Sequence, residues 1–192
     1  MEPNQAQSGR ALAEIADQAA TCAAAAFAEI LNLPVSVQLS QAELVDERGA
    51  GAAILEAGSK WGKAVHMHFD DGACGEALFL LPAGHDASLM ATVFEQNPDL
   101  QDVENSAEAA LFEIGNVLLN ACVGTLVNRM GLRVNYLVPK VIDAPVISEL
   151  ISPDPDQPAR FLQMLSTLGV GDIKVKAYII LIFYTDLASL VN

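Results

Sequence analysis

Three side chains near the middle of the chain have the types and the spacing to act on a bound group: Glu113, Asn116 and Asn120. They are three and four residues apart. At about 100° per residue this places them on one narrow stripe of a helix. A carboxylate accepts hydrogen bonds and attracts a cation. A primary amide donates and accepts, so it can aim a water without adding charge. Three polar, non-basic groups in a row on an otherwise apolar helix are either a solvated face or a working face. The sequence has no GxGxxG, P-loop, HExxH or GxSxG pattern.

The stripe needs a helix to carry it. Leu111, Ile114, Leu118, Cys122 and Leu126 recur at spacings of three and four and form the buried side of a helix over 105–130, which Gly131 ends. Upstream, the alanine-rich run 10–31 predicts a second long helix ended by Pro34, behind a frayed polar segment 1–9. The alternation of 35–40 predicts a half-buried strand, and a turn near 47–49 leads to another at 52–57. Residues 63–69 and 75–81 flank Asp70-Asp71-Gly72 as a hairpin. A short helix over 86–95 takes Asp86 as its cap, and 97–99 form a loop. Downstream, the spacing predicts a strand over 132–138, an ambiguous stretch at 147–150, a loop at 152–158, a short helix over 159–168 and a long strand over 173–184.

Glu113-Ile114-Gly115-Asn116, followed after 22 residues by Pro139, resembles the signature of the CheC/CheX/FliY family of chemotaxis response-regulator phosphatases. That signature has a Ser or Asp one turn before a Glu-x-x-Asn pair, then a distant Pro. Ala109 departs from it at the first position. The resemblance extends over about 11–144. It implies an α+β, CheC-like fold with pseudo-two-fold duplication, in which two long helices and short helices pack on a shared β-sheet. It also implies that the substrate is a CheY-type regulator phosphorylated on aspartate, which brings its own divalent cation (Mg2+) and a lysine. Asn116 would then orient the attacking water and Glu113 would dock on that lysine, with Asn120 and Pro139 in support. No cofactor of the chain's own is implied. A CheD-type deamidase is a further possible partner. A non-catalytic member that binds a regulator or another chemotaxis protein is the alternative, and a purely structural protein with an ordinary surface stripe is the third reading.

A shift of 99 residues brings Glu14-Ile15-Ala16-Asp17 onto Glu113-Ile114-Gly115-Asn116, Leu33 onto Leu132 and Val35 onto Val134. This is read as one domain of two related halves, 1–99 and 100–192. In the first half Asp17 replaces the amide, Ser40 the proline, and Arg10 stands at the Ser/Asp position. A carboxylate only accepts hydrogen bonds and opposes a phosphoryl group, so Glu14 and Asp17 read as a remnant.

The net charge of −14 argues against nucleic acid and anionic membrane as partners. Hydrophobic residues make up 52%, enough to exclude disorder for most of the chain. The helix over 11–31 carries Glu14, Asp17 and Gln18, which argues against a membrane span. Cys22, Cys74 and Cys122 lack CxxC spacing and read as thiols of a reducing compartment, with Cys22 and Cys122 in the core. With no signal-peptide pattern, the expected location is cytoplasmic. His66 and His68 alternate on one strand and face the same way, as a metal pair would or as a satisfied pair would; His85 has no fixed relation to them. Trp61 beside Gly62 carries no reading. The run 178–184 is apolar at every position, so it must be covered on both faces, and a homodimer is the expected means.

Overall fold

The computed structural model describes residues 3–45, 61–82, 84–96, 106–143 and 160–184. The first long helix, α1, spans Pro3–Leu31. It starts seven residues before the position expected from composition. Proline at the first helical position gives up an N–H that has no partner there in any case. Strands β1 (Val35–Val45), β2 (Trp61–Asp70) and β3 (Gly75–Pro82) follow, then α2 (His85–Gln96). Asp86 lies inside α2 and not at its cap. The second long helix, α3, spans Ser106–Arg129. Short strands β4 (Asn135–Tyr136) and β5 (Lys140–Asp143) lead to the long hairpin β6 (Arg160–Val170) and β7 (Ile173–Phe183). The readings at 47–49, 52–57, 97–99, 147–150 and 152–158 fall outside the described residues.

Both long helices end in the same way. Gly131 adopts φ +68° after α3, and Asn32 adopts φ +50° after α1. The Leu132 N–H then donates to the Val127 carbonyl at 2.8 Å, and Leu33 to Ala28 at 3.3 Å. Each is the 6→1 bond of a Schellman cap, closed by a residue that tolerates the left-handed region.

Two corrections concern strands. Residues 160–170 were expected to be largely helical and are β6. Leu162, Met164, Leu168 and Val170 are buried at alternate positions. Full burial of such side chains is worth roughly 1.5–3 kcal/mol each, against a helix preference of only a few tenths per residue. A place between two strands therefore decides the conformation. The expected strand over 132–138 pairs only at β4, and pairing resumes at Lys140.

The seven described strands form one antiparallel sheet in the order β1-β6-β7-β3-β2-β4, with β5 also on β2. The order is palindromic under the 99-residue shift, which carries β1 onto β4 and β5, and β2 onto β6. The registers match as well. Val37 opposes Leu168 and Ala42 opposes Met164; their shifted counterparts Tyr136–Phe69 and Val141–Val65 are paired too. In β1 the extra residue of a bulge falls at Ser40, between Leu39 and Gln41. Pro139 holds the same place between β4 and β5, where three residues oppose two. A bulge position needs no ladder N–H, so proline fits it. The halves meet along β3 and β7, where Phe79 opposes Ile179. This is the pseudo-two-fold α+β architecture.

α1 and α3 lie together on one face of the sheet. Ala16, Ala19, Ala23 and Phe27 from α1 and Ile114, Leu118, Cys122 and Leu126 from α3 share a core with Val65, Met67, Phe79 and Ile179 from the sheet. Within α3, Ala107–Arg129 is apolar and long enough to cross a membrane, but 56% of its 18-residue apolar window is buried in the protein. β7 lies between β6 and β3, and Ala177–Phe183 are buried within the single chain. The cover on both faces for which a second copy was expected is thus already supplied to these residues within the chain.

Candidate functional site

Gly115 sets how closely α3 approaches the sheet. A β-carbon at Gly115 would stand 2.4 Å from the Val65 β-carbon, inside contact distance. The glycine thus lets the helix rest on β2 at Val65, which pairs with Val141 of β5. At the start of α3, Lys63 of β2 donates to Glu108 at 3.1 Å and to Asp143 of β5 at 3.3 Å. These two hydrogen bonds raise the Lys63 pKa; the Glu108 bond is the larger cause. The helix, β2 and the edge strand β5 are thereby linked at one point.

On the far side of α3 from Gly115, Glu113 is exposed, and Asn116 and Asn120 are half-buried. The three expected residues do share one stripe. Among the described residues no ion pair involves Glu113. Ala109 is exposed one turn before it. The Asn120 amide nitrogen donates to the Asn116 backbone carbonyl at 2.8 Å and to Asn116 Oδ1 at 2.6 Å. Pro139 is buried. Just before it, Tyr136, Leu137 and Val138 are exposed by 39%, 53% and 78%, three of the four large apolar side chains that are exposed among the described residues. Tyr136 lies over Gly124, with its hydroxyl 3.3 Å from where a β-carbon there would stand. Tyr136 thus meets α3 at Gly124, one turn beyond Asn120 on the same side of the helix. Sequence reading missed the apolar segment, because an alternating strand was expected there.

In the first half Glu14 and Asp17 are also exposed on α1. The Thr21 hydroxyl donates to the Asp17 backbone carbonyl at 3.0 Å.

His66 and His68 flank a third residue that sequence reading did not place. His66 Nε2 lies 2.6 Å from Glu76 Oε2, and His68 Nδ1 lies 2.8 Å from Glu76 Oε1. The Glu76 carboxylate is buried. Desolvation pushes its pKa up, while the hydrogen bonds and charges of the two imidazoles push it down, and the net effect is a lowered value. Hairpin register was the available signal, since His68 opposes Glu76 directly. Among the described residues no group of three or more His, Cys, Asp or Glu is arranged to hold a metal. The pair is thus occupied by a carboxylate. His85 stands apart at the start of α2. Cys122 is buried and its thiol is pushed up to about 12 by desolvation. Cys22 is exposed, not in the core as expected.

The sequence matches no family model and no curated protein. The fold matches solved structures over nearly its whole length. FliY of Thermotoga maritima matches with TM-score 0.67 and 16% identity, over 94% of this chain and 90% of that one. The middle domain of FliM from H. pylori matches with TM-score 0.61 and 11% identity, over 100% and 98%. The complex of CheX with CheY, BeF3 and Mg2+ from Borrelia burgdorferi matches with TM-score 0.53 and 17% identity, over 89% and 97%. The chain has the CheC-like fold shared by chemotaxis and flagellar switch proteins.

Proposed function

We propose that this protein is a CheC-like phosphatase that hydrolyses the aspartyl phosphate of a CheY-type response regulator. The observation that carries the reading is the stripe itself: an exposed Glu113 with an amide one turn further on, on a helix held against the sheet by Gly115. The occurrence of this fold in a CheX–CheY complex supports it.

In this reading the regulator brings the acyl phosphate, a lysine and Mg2+, which neutralises charge on the phosphoryl oxygens. Glu113 pairs with the lysine and sets the docking. Asn116 hydrogen-bonds the water that attacks phosphorus. The bond from phosphorus to the aspartyl oxygen breaks, the carboxylate leaves, and the proton of the water passes to the released phosphate. Charge in such a reaction spreads over the phosphoryl oxygens, so positioning and electrostatics supply the catalysis. A neutral amide serves because it adds no charge of like sign. The proposed location is cytoplasmic, where such regulators act.

The test is loss of phosphate from phosphorylated regulator. Asn116→Ala should cut turnover by about 100-fold or more, the scale expected when a positioned group is lost, with the fold intact. Glu113→Ala should mainly weaken binding of the phosphorylated regulator. Undiminished turnover in Asn116→Ala overturns the assignment. The second reading, a non-catalytic binding protein, rests on the match to FliM middle domains and on Ala109. It predicts regulator binding with no turnover in the unmodified protein.

A further inference from the structure

We infer that Asn120 is a positioning residue that fixes which end of the Asn116 amide faces the partner. The inference rests on the phosphatase reading for its kinetic consequence, but not for its geometry. The Asn120 group near Asn116 must be its NH2, because it bonds a backbone carbonyl at 2.8 Å and a carbonyl only accepts. The second hydrogen of that same NH2 lies on the Asn116 side chain at 2.6 Å. A donor requires an acceptor opposite it, so the atom there is Oδ1 and not Nδ2. One backbone bond therefore settles the orientation of both amides. Asn116 is left with Nδ2 and its two donors directed away from Asn120, and with one free lone pair on Oδ1. A free asparagine side chain samples both orientations; this one is held in a single orientation before any partner arrives, and preorganisation of this kind lowers the cost of reaching the reactive arrangement.

The first half provides an internal control. Thr21 stands at the position equivalent to Asn120 and makes the same bond to the carbonyl four residues back, at 3.0 Å. Its hydroxyl has one hydrogen, already used there, so it has none left for the side chain of residue 17. The half with the amide thus has the clamp, and the half with the carboxylate lacks it.

Asn120→Thr is the discriminating variant. It retains a backbone bond of the kind Thr21 makes and removes only the bond to Oδ1. Asn120→Asp keeps the shape and removes both donors. In both variants kcat for regulator dephosphorylation should fall about tenfold or more, the scale of modest misplacement, with KM and thermal midpoint nearly unchanged. By NMR, the Asn116 side-chain NH2 should be ordered in the unmodified protein, mobile in Asn120→Thr, and turned toward the carboxylate in Asn120→Asp, since that group only accepts and draws Nδ2. Wild-type kcat in Asn120→Thr, or an Asn116 amide as ordered there as before, overturns the clamp. If the unmodified protein does not hydrolyse any regulator phosphate, the phosphatase reading fails, and the NMR comparison still decides the clamp.

Discussion

At the level of single residues, the buried Glu76 carboxylate is the group whose environment has the clearest consequence for stability. Two imidazoles satisfy it at 2.6 and 2.8 Å. Its folded pKa is lowered below the ordinary 4.5. A lowered folded pKa means that the unfolded chain binds its proton first as pH falls. The stabilisation is then complete above 4.5 and is lost as pH falls through the folded value. Urea midpoints should therefore decline below pH 4.5, and Glu76→Gln should show a shallower decline. An equal slope in the two proteins contradicts this account. Sequence reading found the histidines but not the carboxylate, because strand alternation relates residues two apart and not residues across a turn. The Glu113, Asn116 and Asn120 stripe was legible because helical period alone brings those three together. The bond between the two amides was not legible, since side-chain rotamers are set by local geometry that no spacing encodes.

Whole elements differ in how legible they were, for a physical reason. α1 and α3 declared themselves through alanine content and period, and their ends through Pro34 and Gly131. β6 did not, because Leu, Gln and Met favour helix locally while β1, one of the two strands that flank it, lies far away in sequence. The contact that matters most to the site is also between elements. Val65 lies where the Gly115 side chain would be. Gly115→Ala must push α3 off β2 or distort β2, and such overpacking costs about 1–3 kcal/mol. A lower urea midpoint is expected, together with a loss of turnover larger than the stability loss explains, because Asn116 moves with the helix. The first-half counterpart, Ala16, carries a β-carbon in the same core. An unchanged midpoint in Gly115→Ala would mean that the approach of helix to sheet is less tight than described.

Across the whole molecule, the two halves share helix ends, strand registers and the bulge at Ser40 and Pro139. What separates them is chemistry on a common frame. The second half presents Asn116, clamped by Asn120, and further on exposes Tyr136, Leu137 and Val138. The first presents the exposed carboxylate Asp17, with Thr21 on its backbone and with Val37 and Gln38 in place of Tyr136 and Leu137. Asp17 can accept a hydrogen bond from a water but cannot donate one, and its charge repels a phosphoryl group. The equivalent segment on that side carries the exposed, polar Gln38 where the second half has Leu137. Removing Glu14 and Asp17 together should therefore leave most of the turnover in place, since both are exposed and neither contributes to the core. The comparison is made against Asn116→Ala, assayed on the same phosphorylated regulator. Near-complete activity in Glu14→Ala/Asp17→Ala, set beside its loss in Asn116→Ala, assigns the chemistry to one half. A loss in the double variant as deep as that in Asn116→Ala would mean that both halves work and that a carboxylate at position 17 suffices.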